Sequence, residues 1–347
     1  MISENKKYKD DRLIMKKFHC SVWGDITVSP LALSIIDTWE FQRMHYIRQT
    51  GFAYKVFSTA TSSRFEHSIG VYHITRIILR SLELSLPVEH RLSDRQKEII
   101  TITGLVHDLG HGPFSHLFDE FLKTTSPMDH SKEQISRTHE QRSCDIFRHI
   151  VAEYNLEFSV EEVEWICQRI TSPPNHMWYD TLVCNPYSSF DTDKLDYLIR
   201  DTKHFGLICS FDVHRIIQNM RIIDNKLCFC ERVEDDVRNM FSLREQLHQS
   251  IYRHPTIQKF DCFFLSLLKT IRFECRSMED FLQLQDVSLL MMFPFSIRKQ
   301  LECRQWDSFH EKPYFTEYKD DQKDIALSNL LWFRRKTPHL YFTLQNE

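Results

Sequence analysis

The chain has 347 residues and a formal net charge of −4, from 44 Lys plus Arg against 48 Asp plus Glu. That length can bury a large core, and the near balance of charge argues against a polyanion binder acting through its whole surface. No stretch reaches the ~18 uninterrupted apolar residues of a membrane span. The ten cysteines form no CxxC pair, so a zinc ribbon or a disulfide scaffold is excluded in favour of free thiols in a reducing compartment.

Residues 1–17 are polar and lack the apolar core of a signal peptide, so they read as a flexible arm, and cytoplasm or nucleus is the default location. Residues 18–28 form a short extended segment. Ser29-Pro30 predicts an N-cap with Pro in the first turn of a helix running to Gln49. Residues 52–63 are a loop, with a short strand at Tyr54–Phe57. A second helix runs from Arg64 to Leu82. Ser93-Asp94-Arg95-Gln96 is a capping box that opens a buried helix ending at His107. Thr138-His139-Glu140-Gln141 and Ser159-Val160-Glu161-Glu162 repeat the pattern for two more helices. Residues 172–188, with Pro173, Pro174 and Pro186, are a loop. A helix from Phe190 to Lys203 follows, then a hairpin over 221–230 turning at Asp224-Asn225. Further helices are expected over 233–253, 257–275 and 277–292. The fold class is therefore mostly α, a helical bundle with a small β-hairpin. Residues 18–255 form a catalytic core and 256–347 a helical C-terminal extension.

Chemistry concentrates in residues 107–119. His107, His111, His116, Asp108 and Asp119 fall within thirteen positions, and three of the chain's seven glycines (Gly104, Gly110, Gly112) sit there or just before. An unpaired buried carboxylate costs several kcal/mol unless it meets a cation, so this stretch reads as a metal-binding turn. With His67 and Asp193 from other helices, His107 and Asp108 make a set of two imidazoles and two carboxylates. That set suits a borderline or hard divalent ion such as Fe, Mn, Zn or Co. Such an ion polarises phosphoryl oxygens, and His111, His116 and His139 are candidates to give the leaving oxygen its proton. Asp119 and Glu140 are placed to orient them. Asp193, Tyr197 and Asp201 share one helical stripe with Lys194 beside it, and Arg244, His248 and Tyr252 share another. A wall of this kind binds phosphates by charge and packs a sugar. The absence of GxxxxGK[ST], HExxH and GxSxG leaves metal-assisted phosphoester hydrolysis as the reading the residues support.

Six ordered stretches carry a resemblance: IIDTWEFQRMHYIRQTG (35–51), SRFEHSIGV (63–71), GLVHDLGHGPFSHLFDE (104–120), THEQRS (138–143), FDTDKLDYLIRD (190–201) and FSLREQLHQSIYRH (241–254). Over residues 18–255 the chain resembles the catalytic domain of the sterile-alpha-motif and HD-domain dNTP triphosphohydrolases. The resemblance implies an HD-domain bundle that cleaves a dNTP to the 2′-deoxynucleoside and inorganic triphosphate, with Mg2+ accompanying the substrate. It implies metal ligation by His67, His107, Asp108 and Asp193. It places His111, His116, Asp119 and His139 around the α-phosphate, with His116 the leading acid. Arg64, Lys194 and Arg244 would hold the triphosphate and Gln49 would face the sugar 3′-OH. Tyr197, Tyr252 and Asp201 would hold the sugar, with Tyr252 excluding ribonucleotides.

Departures from the family pattern bear on regulation. Asp37 and Gln42 match residues that recognise an activating guanine nucleotide, GTP or dGTP, between subunits. His45, Ser250 and Pro255, however, replace basic residues that contact that activator. Thr50 replaces a Leu, and the family's DPIHG is here Cys20-Ser21-Val22-Trp23-Gly24. The expectation is weak or absent GTP activation in a homo-oligomer, a dimer or a tetramer. Two alternatives stand beside this: an HD phosphodiesterase or nucleotidase on another phosphoester, and a weakly catalytic nucleotide or single-strand nucleic-acid binder. The basic aromatic patch Trp332–Lys336 is the local support for the latter.

Overall fold

The computed structural model describes residues 16–125, 138–271, 275, 277–305 and 330–333. Most of the expected arm, residues 1–15, and the basic part of the patch, residues 334–336, lie outside the described residues. Fourteen α-helices dominate among the described residues, as the composition predicts.

Strands β1 (Lys17–Cys20) and β2 (Gly24–Thr27) form an antiparallel hairpin where an extended segment is expected. The helix expected over 30–49 is three pieces: α1 (Pro30–Ile36), α2 (Trp39–Gln42) and a 3-10 turn over Arg43–Tyr46. Thr38 is the reason, because its hydroxyl caps a new start by accepting from the Phe41 amide. Tyr54–Phe57 is not a strand. Gly51–Lys55 is a 3-10 turn that buries Phe52, whose ring stacks on Phe114.

Helices α3 (Arg64–Glu83), α4 (Asp94–Val106), α5 (His116–Thr125), α6 (His139–Glu153), α7 (Val160–Thr171) and α8 (Thr192–His204) build the bundle. Ser93 and Ser159 make the expected capping boxes, and Ser63, Thr138 and Asp191 cap α3, α6 and α8. The long α3 packs against both α4 and α8. After α9 (Val213–Gln218), β3 (Met220–Ile223) and β4 (Lys226–Cys230) form the expected hairpin, with Asp224 and Asn225 both at positive φ. The strand β5 (Leu331–Phe333) adds parallel to β4.

The helix expected over 233–253 ends early. α10 (Glu234–Leu247) gives way to a π-helical turn over His248–Tyr252, a feature frequent at functional sites. α11 (Pro255–Thr270) follows, and the helix expected over 277–292 is two, α12 (Met278–Leu282) and α13 (Asp286–Met291), before α14 (Phe295–Glu302). Two apolar cores result. Ile102, Leu105, Phe118 and Phe147 pack with Phe260, Phe264 and Phe281 in one, while Ile74, Leu195, Leu198 and Phe241 pack with Phe229 in the other. α3 contributes to both, which fixes the helix that carries Arg64 and His67. All ten cysteines are free thiols, five of them buried.

Candidate active site

The turn after α4 is held by buried cations rather than by its glycines' flexibility. Arg43 donates to the Leu109 and His111 carbonyls at 2.6 and 2.8 Å, and Arg142 Nε donates to the Gly110 carbonyl at 2.8 Å. Ser143 Oγ accepts from the Gly110 amide and donates to the His107 carbonyl. Gly110 serves close approach: a Cβ there would stand 2.1 Å from the His139 carbonyl oxygen. The left-handed residues are Phe114 and Ser115, at φ 58° and 57°. Asp286 holds this strained bend by accepting from the Phe114 amide at 2.7 Å and the Arg48 amide at 3.0 Å.

His67, His107, Asp108 and Asp193 converge behind this turn. His67 Nε2 lies 3.1 Å from Asp193 Oδ1 and 3.4 Å from Asp108 Oδ2; His107 Nε2 lies 3.4 Å from Asp108 Oδ1 and 3.7 Å from Asp193 Oδ1. The tautomers are set from behind. His67 Nδ1 faces Asp196 Oδ2 at 2.8 Å, and His107 Nδ1 faces the Gly104 carbonyl at 2.8 Å. Both partners are acceptors, so each Nδ1 carries a proton, and each Nε2, once free of its own proton, turns a lone pair to the common centre. His107 Nε2 is buried without a hydrogen-bond partner among the described residues. An orphaned imidazole nitrogen facing two carboxylates is the donor chemistry of a divalent-metal site, and the residues fit one.

The electrostatics agree. Burial alone would lower His67, but its hydrogen bonds to Asp193 and Asp196 and the charge of Asp108 lift it to about 9. Burial would raise Asp108, yet Arg64, at 2.6 Å, with His107 and His111 holds it well below the carboxylate range. Asp193 is held down likewise, by His107 and His67 against its burial. Two ionised carboxylates thus face one point.

A second cluster lies in front. The His111 and His139 rings stack at 4.0 Å, and His116 stands edge-on to both. His139 Nδ1 is 2.7 Å from Asp119 Oδ2, while Arg142 grips Asp119 Oδ1. His116 is the open member, with 73% of its side chain exposed to the cavity. Its place in the cavity wall, then Arg64 and His139, hold its ring below the ordinary imidazole value, which favours the neutral form until an anion arrives.

Both clusters open into one cavity of about 690 Å³, within the range that holds a nucleotide-sized ligand. Gln49, Arg64, Lys194, Tyr197, Asp201, Arg244 and Tyr252, each expected from the sequence, line it together with Asp108, Asp193 and the front cluster. His67 and His107 are buried behind this wall. Tyr252 donates to Asp201 Oδ2 at 2.6 Å, leaving Asp201 Oδ1 buried without a partner among the described residues. Burial raises Asp201 to about 6. Asp37 and Gln42 do not line the cavity: Asp37 pairs with Lys16 at 3.4 Å at the surface, and Gln42 donates to the Ile36 carbonyl.

Sequence reasoning passed over Asp196, Arg142, Asp286 and Arg43. Asp196 had a usable signal, since it lies three residues after Asp193 on the same helix. Asp286 had none, being 172 residues from the amide it holds.

Comparison with known proteins places this geometry. The HD domain profile matches residues 64–187, the segment that supplies His67, His107, Asp108 and the front cluster. This is an HD-domain protein. It is related to the deoxynucleoside triphosphate triphosphohydrolase SAMHD1 of Bos taurus, 35% identical over 270 residues, covering 69% of this chain and 45% of that protein. The putative HD domain-containing protein L394 of Acanthamoeba polyphaga mimivirus is 35% identical over 286 residues, 78% of this chain and 61% of its own length. The Dictyostelium discoideum SAMHD1 homolog is 30% identical over 262 residues, with 73% and 50% covered. The chain thus spans about half the length of the curated relatives it matches. Two groups of its His and Asp side chains, His67–His107–Asp108 and His111–His116–Asp119–His139, lie close enough together to hold a metal ion, and both fall within the HD domain match. Among the described residues no helix is long and apolar enough to cross a membrane.

Proposed function

We propose that this chain is a metal-dependent triphosphohydrolase that cleaves a dNTP to the 2′-deoxynucleoside and inorganic triphosphate. The observation that carries the reading is the single cavity that joins the His/Asp centre to three cations, Arg64, Lys194 and Arg244, and to the Tyr252–Asp201 pair. Its similarity to SAMHD1, a deoxynucleoside triphosphate triphosphohydrolase, supports it. A divalent ion held by His67, His107, Asp108 and Asp193 would supply Lewis-acid polarisation of a phosphoryl oxygen.

The protein's own groups do the rest. Arg64, already oriented by Asp108 and by Ser115 at 2.9 Å, binds phosphate with its remaining donors. His116 protonates the departing 5′-oxygen. Its pKa is low in the free protein, and the incoming polyanion raises it by favouring the imidazolium. Asp119 fixes the ring of His139 against the α-phosphate. Asp201 accepts from the sugar hydroxyl with its orphaned oxygen, Gln49 takes the 3′-OH, and Tyr252 packs under C2′ where a ribose hydroxyl would clash. Activation by GTP is weak or absent, because His45 stacks on Phe65 at 3.5 Å and brings no fixed positive charge to an activator.

Product analysis tests this. Purified protein with Mn2+ or Fe2+ is incubated with each dNTP and NTP, with and without GTP. Deoxynucleoside plus intact triphosphate is expected, at a rate little changed by GTP. Stepwise phosphate or pyrophosphate release would overturn the reading.

A further inference from the structure

The β1–β2 turn, Cys20-Ser21-Val22-Trp23-Gly24, stands where the sequence departs from DPIHG, and the proposed reaction gives it no part. The structure seats it on α8, behind the His/Asp centre. Trp23 Nε1 donates to Asp196 Oδ1 at 2.5 Å. Both Nη atoms of Arg200 lie 3.6 Å from Cys20 Sγ, and Lys203 Nζ donates to the Ser21 carbonyl. The contact with Asp196 matters most, because Asp196 Oδ2 holds Nδ1 of His67 at 2.8 Å. Asp196 is fully buried, and a buried carboxylate needs its lone pairs filled. Arg200 fills two, through Nε and Nη2, each at 2.9 Å. His67 and Trp23 fill the others. The slot is tight: Gly70 of α3 lies three residues after His67, and a Cβ there would collide with Asp196 Oδ1 and Arg200 Nη2. The indole is half-buried, packs against both apolar cores, and has the His73 and His214 rings at 6.0 and 6.3 Å.

We propose that Trp23 is a positioning residue of the metal centre, holding Asp196 so that the His67 imidazole keeps Nε2 on the point it shares with Asp108 and Asp193. This rests on the metal reading of His67, His107, Asp108 and Asp193. Arg200 lies four residues after Asp196 on the same helix, so it moves with Asp196 and does not fix α8 against α3. Trp23 comes from a separate element, 173 residues away in sequence. That hairpin packs on α3 through β2, and α3 packs on α8. Hairpin, α3 and α8 therefore meet at one carboxylate, and the indole N–H closes the junction. The N–H is the necessary part: a ring without it fills the space but leaves Oδ1 one donor short. An imidazole whose supporting carboxylate is free to turn presents its ligand nitrogen less well.

The test compares the full chain with Trp23→Phe, which keeps an aromatic ring and removes the N–H. Metal-stripped protein is loaded with Co2+. Affinity is read by chelator competition, ligand geometry by the visible Co2+ bands, and Tm is measured on the metal-free protein. W23F should shift the bands and lower Co2+ affinity by roughly 3- to 10-fold, less than loss of a ligand's direct partner. Added to Asp196→Asn it should cost less than about a further twofold, because Trp23 acts through Asp196. A fall in Tm with affinity and bands unchanged would mark a residue that only packs, and would overturn the proposal. So would an undiminished loss of affinity in the D196N background. A second measurement needs no variant. Protein labelled with 15N-tryptophan has six indole N–H groups. One of them should lie downfield, against its carboxylate, and move when diamagnetic Zn2+ is added. The absence of any indole that responds to Zn2+ would overturn the proposal while leaving the metal reading intact. Wild type that takes up neither Co2+ nor Zn2+ would overturn the metal reading, and the proposal with it.

Discussion

The sharpest separation between holding a metal and merely folding is Asp196→Asn. Asp196 is fully buried and touches no substrate. Its Oδ2 accepts from His67 Nδ1 at 2.8 Å and Arg200 Nε at 2.9 Å; its Oδ1 accepts from Arg200 Nη2 at 2.9 Å and Trp23 Nε1 at 2.5 Å. Burial would raise its pKa, but Arg200 and His67 hold it to about 2. The folded value lies below the unfolded one, so its stabilisation is present above pH ~4 and is lost as pH falls toward 2. Asn keeps the shape and one acceptor but removes the charge that fixes the His67 tautomer. Loss of such a partner lowers metal affinity about 10- to 100-fold, or roughly 1.4–2.7 kcal/mol. Both variants leave Arg200 without its buried counter-charge, and Asp196→Ala, which loses the remaining acceptor and the shape as well, should cost about 3–5 kcal/mol in stability. The assay is chelator competition on metal-loaded protein, with Tm measured alongside. A D196N protein that is folded and holds metal within twofold of wild type would refute the reasoning that Asp196 sets the ligand.

Three further outcomes follow from the same geometry. In metal-free protein His67 is raised from 6.5 to about 9, so its protonated form stabilises the fold fully below pH ~6.5, and that contribution fades as pH rises through 9. A metal must displace this proton, so apparent affinity should climb up to about tenfold per pH unit across that window, read as proton release in calorimetry. Asp286→Ala should orphan the Phe114 and Arg48 amides and destabilise by on the order of 2–4 kcal/mol; denaturant midpoints check the cost, and turnover should fall in the surviving folded fraction because the His111–His116 turn relaxes. Gly110→Ala should cost about 3 kcal/mol or more, because the added Cβ meets α6 backbone 2.1 and 2.4 Å away. A Tm near wild type would show that α6 yields easily.

The helices and hairpin were legible because their signals are local. Ser93 and Ser159 name their own helix starts, and Asp224-Asn225 names its turn. The wall residues on α8 were legible because a period of 3.6 puts Asp193, Tyr197 and Asp201 on one stripe. Thr38 was misread because a capping hydroxyl inside an apolar-periodic run competes with continuation, and here the cap wins. The π turn at His248–Tyr252 carries no local signal. Both of those residues line the cavity. Gly110 and Gly112 marked a special turn, and close approach is what they serve there. They permit contact with His139 and Phe118, while the left-handed backbone falls on Phe114 and Ser115. Asp286 and Arg43 act on the turn from 172 and 66 residues away, a separation that no window of sequence spans.

That separation bears on where function resides in the chain. The HD domain match ends at residue 187, yet Asp193, which faces His67 and His107, lies beyond it, as do the cavity-lining Tyr197, Asp201, Arg244 and Tyr252. The partner that orients His67 is Asp196, and the residue that holds the strained bend beside His116 is Asp286, on α13. The matched segment therefore contains the turn and its imidazoles but neither the whole proposed donor set nor the whole cavity wall. Residues 190–204 complete that proposed set, 244–261 line the pocket, and 281–286 brace the turn through Asp286 and through Phe281 under Arg43. On the proposed reading, the imidazoles of the HD domain lie in one stretch, and the groups that would complete the metal set and choose the substrate lie in what the chain folds over it.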